Sequence, residues 1–243
     1  MNLKDQLKEK HHAKVRSILE TAGRLGDKEG IEVYVVGGFV RDLIMGKPLN
    51  DIDIMTVGDG IPFARKLADE LVVKKIVPFK KFGTAIIPNK SVQIEVATAR
   101  TESYDDDSRK PAEVVYTDLK GDLLRRDFTI NAMAMDIRHE AFGELTDPFG
   151  GIADIEKKIL RTPLDPDETF SEDPLRMMRA AYFASKLGFK IEKECRASIK
   201  RQAHRIDIVS WERIRDEFIK ILKTKKPSVG LVILQKTGLM ETV

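Results

Sequence analysis

The feature that most constrains the fold is a change of hydrophobic period part-way along the chain. Between residues 31 and 98, short β-rich runs are separated by glycine or by short helical patterns; from Asp173 onward apolar residues recur only at helical spacing. Such a chain predicts an α+β front built on a small mixed sheet with helices, followed by an all-helical rear. The expected front elements are an amphipathic helix over 7–25, strands over 31–36, 51–57, 83–87 and 92–98, and short helices over 39–45 and 62–71, the last leading into 72–77. A polar stretch over 101–111, with Asp105-Asp106-Asp107, reads as a mobile loop. The strand signal fades past Pro148-Phe149-Gly150-Gly151, which sets an expected division into 1–148 and 149–243, with rear helices starting near Asp173, Lys193, Trp211 and Pro227.

Charge follows the same division. Residues 175–243 hold 16 Lys/Arg against 7 Asp/Glu, and the rest of the chain 26 against 32, so the net charge of +3 hides an acidic front and a basic rear. That asymmetry suits carboxylate-held metal ions in front and a polyanion behind, although basic helical surfaces also serve solubility alone. The single cysteine, Cys195, excludes an internal disulfide framework and a cysteine zinc site. Residues 2–14 are charged throughout, without a signal-peptide pattern, and no apolar run approaches the roughly 18 residues of a membrane span. The expectation is a soluble, cytoplasmic protein with no membrane partner. The chain stops at Val243 without a closing polar tail, which reads as the front part of a longer protein.

The sharpest chemical signal is Asp51-Ile52-Asp53 on an expected strand, where alternation turns both carboxylates to one face. Two converging hard oxygen ligands suit Mg²⁺, which takes one or two carboxylates plus substrate phosphates; a solvated strand face is the plainer alternative. Glu95 lies in a second alternating run, Val92-Gln93-Ile94-Glu95-Val96, and a neighbouring strand can bring it beside the aspartates as the third acid of a two-metal site. Gly37-Gly38 falls between a strand and a short helix, where bare backbone can approach an anion, with Arg41 one turn on; a tight turn is the ordinary reading. His11, His12, His139 and His204 are scattered and form no serine, cysteine or zinc constellation.

Taken in order, Gly37-Gly38-Phe39-Val40-Arg41-Asp42, Asp51-Ile52-Asp53, Arg125-Arg126-Asp127-Phe128-Thr129-Ile130-Asn131-Ala132 and Glu172-Asp173-Pro174-Leu175-Arg176 resemble the successive motifs of the class II tRNA nucleotidyltransferases and bacterial poly(A) polymerases, over about residues 34–222. The resemblance implies a DNA polymerase β-like palm followed by a helical neck and body. It implies metal binding by Asp51 and Asp53, with Glu95 as third carboxylate. It further implies triphosphate contacts from Gly37, Gly38 and Arg41, and contacts from Arg126 and Asn131 to the ribose and phosphates; Asp127 can serve to hold an arginine.

Asp173, Arg176 and Arg179 are spaced by three, hence expected on one helical face, while Leu175, Met178 and Phe183 turn to the core. By resemblance, Asp173 and Arg176 read the base edge and Arg179 faces the phosphates; many relatives carry a further arginine where this chain has Tyr182. Ser210 is expected to cap a helix on which Arg213 and Glu217 pair at i, i+4. This segment resembles the CCA-adding branch, and it lacks the Pro-Pro usual in bacterial poly(A) polymerases. The implied activity is Mg²⁺-dependent addition of C and/or A from CTP and ATP to a tRNA 3′ end with release of pyrophosphate. A-only addition, CC-only addition, poly(A) polymerase and a non-catalytic RNA-binding module are the alternatives, and oligomeric state is left open.

Overall fold

The computed structural model describes residues 1–9, 12–89, 92–105 and 108–242. His11, Asp106 and Asp107 lie outside the described residues. The chain forms two compact units. One comprises Met1–Thr101, Val114–Leu124 and Ile130–Ile152; the other comprises Glu102–Glu113, Arg125–Thr129 and Ala153–Val243.

The first unit begins with α1 (Ala13–Glu29), which starts later than the apolar pattern suggests because residues Lys4–Lys8 form a separate 3-10 turn that buries Leu7. Then follow β1 (Glu32–Val36), α2 (Gly38–Ile44), β2 (Asp51–Val57), α3 (Gly60–Glu70), β3 (Val77–Phe79), β4 (Thr84–Ile87) and β5 (Gln93–Thr98). Every expected strand is present, although 72–77 becomes a strand only at Val77. After the two-stranded ribbon described below come α4 (Leu119–Leu124), β8 (Ala134–Asp136) and β9 (Leu145–Thr146).

The sheet order is β3-β4-β5-β2-β1-β8-β9, with β2 and β5 parallel and the other neighbours antiparallel. One face carries Ile52, Ile54, Ile94, Val96, Ala85 and Ile87, all buried, and is covered by α1 and α3. The other packs Tyr34, Val36, Met55 and Ala134 against Leu123 of α4, with Phe149 at its margin. Period-2 alternation puts Asp51 and Asp53 on this second face, beside Met55.

The stretch 101–111 is a correction. In place of a loop, its described residues, 101–105 and 108–111, belong to two paired strands, β6 (Arg100–Asp105) and β7 (Ser108–Tyr116), which form a two-stranded sheet. A ribbon of two strands is held by backbone pairing, so it does not require the apolar alternation by which strands are recognised. Pro111 sits within β7, a position open to proline because every strand of such a ribbon is an edge.

The second unit is helical, as the pattern predicts: α5 (Gly151–Lys157), α6 (Pro166–Glu172), α7 (Leu175–Leu187), α8 (Lys193–Gln202), α9 (Trp211–Leu222) and α10 (Pro227–Thr237). Two dipeptide strands, β10 (Ile159–Leu160) and β11 (Lys190–Ile191), pair in parallel between these helices. Helix α7 is the centre of the unit, packing on α9 and α10 and burying Leu175, Met177, Met178, Ala181 and Phe183. The Phe128 and Phe183 rings meet edge to face at 5.8 Å. Phe128, Ile130 and Met133 are wholly buried, and Cys195 is a buried free thiol. Among the described residues no helix is long and apolar enough to cross a membrane.

Candidate functional site

In the first unit the parallel pairing of β2 with β5 sets Asp51 opposite Gln93 and Asp53 opposite Glu95. Paired residues in a parallel ladder point the same way, so the three carboxylates share one sheet face. Asp51 is exposed, while Asp53 and Glu95 are half-buried. Burial pushes the Glu95 carboxyl above its ordinary range, against the pull of Arg100. A partly desolvated acid beside Asp53 is a place where added positive charge is favourable. Among the described residues, no three His, Cys, Asp or Glu side chains are gathered tightly enough to enclose a metal by themselves. Carboxylates are hard oxygen ligands of the kind Mg²⁺ takes, one or two at a time, with phosphate oxygens and water completing its shell.

At the end of β1, Gly37 has φ 70° and ψ −129°, a conformation only glycine adopts without strain, and its amide donates to the Met133 carbonyl at 3.0 Å. This turn starts α2. A Cβ at Gly38 would lie 3.5 Å from Nη2 of Arg41, in ordinary van der Waals contact, so the guanidinium lies directly beside this glycine. Arg41 is only 3% exposed. Its Nε and Nη2 each donate to the Asp42 carboxylate at 2.9 Å, and its Nη1 donates to Oδ1 of Asn131 at 2.5 Å. Two residues taken from separate motifs, 90 apart in sequence, are thus directly bonded. Asp42, quoted within the motif but given no role there, is the carboxylate that holds Arg41.

In the second unit the expected helical face of Asp173, Arg176 and Arg179 is not found as such. Asp173 precedes α7 in an extended conformation, φ −136° and ψ 96°, and only the two arginines are helical. The Asp-Pro pair was the available signal, since proline favours the first positions of a helix and aspartate the position before it. The Asp173 carboxylate accepts from the Leu175 amide at 3.2 Å and from Nη2 of Arg213 at 3.0 Å.

Arg176, 7% exposed, donates through Nη1 to the Thr169 carbonyl at 3.0 Å and to Glu172 at 2.8 Å, and through Nη2 to the Arg125 carbonyl at 2.6 Å. Arg179 is bound by Asp127, Nε at 2.7 Å and Nη2 at 2.6 Å. Burial works against its charge, but Asp127, Glu217 and Asp173 outweigh that and raise its pKa. Arg126 is half-buried, and Tyr182 lies with its ring 5.0 Å from that of Phe183.

The expected Arg213–Glu217 pair is also corrected. Ser210 holds the cap position of α9 without a side-chain cap bond, Arg213 reaches Asp173, and Glu217 is paired with Lys220 at 2.9 Å. An i, i+4 pair contributes only about 0.3–0.5 kcal/mol when exposed, so Arg213, whose side chain is partly exposed, is readily drawn to its tertiary partner Asp173.

Comparison with known proteins agrees with this geometry. The chain is similar to the CCA-adding enzyme of Bacillus pumilus (strain SAFR-032), 42% identical over 88% of this chain and 52% of the relative. It is also similar to the A-adding tRNA nucleotidyltransferase of Geobacter sulfurreducens, 36% identical over 93% of this chain and 26% of the relative. The chain thus spans about half the length of the first and about a quarter of the second. Among solved structures, the Thermotoga maritima CCA-adding enzyme complexed with tRNA-CCA superposes with a TM-score of 0.85 at 32% identity, over 99% of this chain and 55% of that one. The family described as the probable RNA and SrmB-binding site of polymerase A matches residues 188–243. The poly A polymerase head domain matches residues 33–161, more than half of the sequence, and the chain belongs to that family.

Proposed function

We propose that this chain carries the catalytic machinery of a template-independent tRNA nucleotidyltransferase that adds C and/or A, from CTP and ATP, to a tRNA 3′ end. The observation that carries the reading is the β2–β5 register, which aligns Asp53 with Glu95 on the sheet face that also presents Asp51. Residues 1–148 act as the catalytic head in this reading, and residues 149–243 as the helical neck and start of the body.

Asp51 and Asp53 hold Mg²⁺, with Glu95 as the third carboxylate. When bound, Mg²⁺ supplies charge neutralisation at the phosphates and lowers the pKa of the attacking hydroxyl. The reaction joins the terminal 3′-oxygen of tRNA to the α-phosphorus of the triphosphate, breaks the bond to the β-phosphate and releases pyrophosphate, the hydroxyl proton passing to solvent. Gly37 and Gly38 let the triphosphate approach the backbone at α2. Arg41 and Asn131, locked together, add positive charge and a polar contact there, and Arg126 and Arg179 add further positive charge. Asp173 accepts from the exocyclic amino group of cytosine or adenine while Arg176 donates to a ring nitrogen or carbonyl, which refuses uracil and guanine. A reducing cytoplasm suits the lone buried thiol of Cys195.

A-only addition is the second reading, favoured by the similarity to the Geobacter enzyme over 93% of this chain. Offering CTP or ATP singly to tRNAs lacking three, two or one terminal nucleotides distinguishes them. Full CCA addition is expected to extend all three in the order C, C, A; extension by ATP alone, on the tRNA lacking one nucleotide, selects the second reading. No extension of any of the three rejects both.

A further inference from the structure

Asp173 stands between α6 and α7 in an extended conformation, so a helical backbone does not fix its side chain. Two bonds do. The Leu175 amide takes Oδ1, and Arg213, 40 residues away on α9, takes Oδ2. The local bond alone leaves the carboxylate plane free to turn, because the aspartate terminal torsion is broad. With Arg213 on the second oxygen the plane is held from a second direction.

One turn along α9 from Arg213, Glu217 is 2% exposed, and its Oε1 finds no hydrogen-bond partner among the described residues. Its charge is one of three that surround Arg179. One face of α9 therefore offers a cation to Asp173 and an anion to Arg179.

We infer that Arg213 is a positioning residue for nucleotide selection: by holding Oδ2 of Asp173 it sets the direction in which that carboxylate accepts from the amino group of an incoming cytosine or adenine. The inference rests on the base-reading role proposed above for Asp173. A side chain that merely joined α9 to α7 would affect all nucleotides alike when removed. One that aims Asp173 affects discrimination. The Arg213 side chain is 41% exposed, so its replacement is compatible with a folded protein.

The test uses the full chain and the variants Arg213→Met, Arg213→Lys, Asp173→Asn and the double variant Arg213→Met/Asp173→Asn. The readings are kcat/KM for CTP, ATP, UTP and GTP on trimmed tRNA, with thermal unfolding alongside; equilibrium binding of the four triphosphates replaces kinetics if extension is absent. Arg213→Met is expected to lower the preference for CTP and ATP over UTP and GTP by about tenfold, mainly through KM, as for loss of one base-edge contact. Arg213→Lys restores most of it, and Arg213→Met adds little once Asp173 is Asn. Unchanged preference in Arg213→Met, or an equal loss for all four nucleotides while Asp173→Asn loses preference, overturns the inference and spares the reading of Asp173. Unchanged preference in Asp173→Asn overturns both.

Discussion

Glu95, the proposed third carboxylate, shows what burying one acid costs. Burial raises its carboxyl above the ordinary value of 4.5. The folded chain then binds this proton more tightly than the unfolded chain, so the associated stability is full below the unfolded value and is lost as pH rises through the raised folded one. Glu95→Gln is therefore expected to raise Tm at pH 7 in metal-free buffer and to leave it nearly unchanged at pH 4; a lower Tm at pH 7 would contradict this. Asp127 poses the opposite case, a carboxylate needed by a cation. Asp127→Ala should cost about 2 kcal/mol in denaturant unfolding, below the usual value for a broken buried pair because Arg179 keeps partial solvent access. Strand alternation alone made the shared face of Asp51 and Asp53 legible in the sequence. The Arg41–Asn131 bond was not legible, because nothing local couples residues 90 apart. The motifs nevertheless pointed to both of its members.

At the scale of elements, the β-branched and apolar runs located β1, β2, β4 and β5, since each buries one or both faces against helices. β8 and β9 escaped notice: at three and two residues they are too short to show a period, and they exist because β1 offers a free edge. The β6–β7 ribbon escaped for a different reason, being held by backbone pairing that composition does not report. Helix α1 depends on a residue the periodicity ignores. A Cβ at Gly23 would lie 1.8 Å from the Ile137 carbonyl oxygen, so the helix lies directly against the backbone that follows β8. Gly23→Ala is expected to destabilise the first unit by about 3 kcal/mol, the upper end for overpacking, measured as a loss in denaturant midpoint at unchanged m value. A midpoint within error of wild type would show that α1 moves aside freely.

On the scale of the whole molecule, the switch from mixed to helical periodicity was enough to give the α+β class with a helical rear. The charge count divides the chain into an acidic front and a basic rear. What the sequence left unread is the strand order, because the parallel neighbour of β2 is β5, and only that pairing aligns Glu95 with Asp53. The central claim, nucleotidyl transfer at the carboxylates of β2, is tested most directly by extending a trimmed tRNA with CTP or ATP and Mg²⁺, comparing wild type with Asp51→Ala and Asp53→Ala. The account predicts extension by wild type and a loss of about a thousandfold or more in each variant, with Tm little changed. Variants that extend tRNA at the wild-type rate would contradict it.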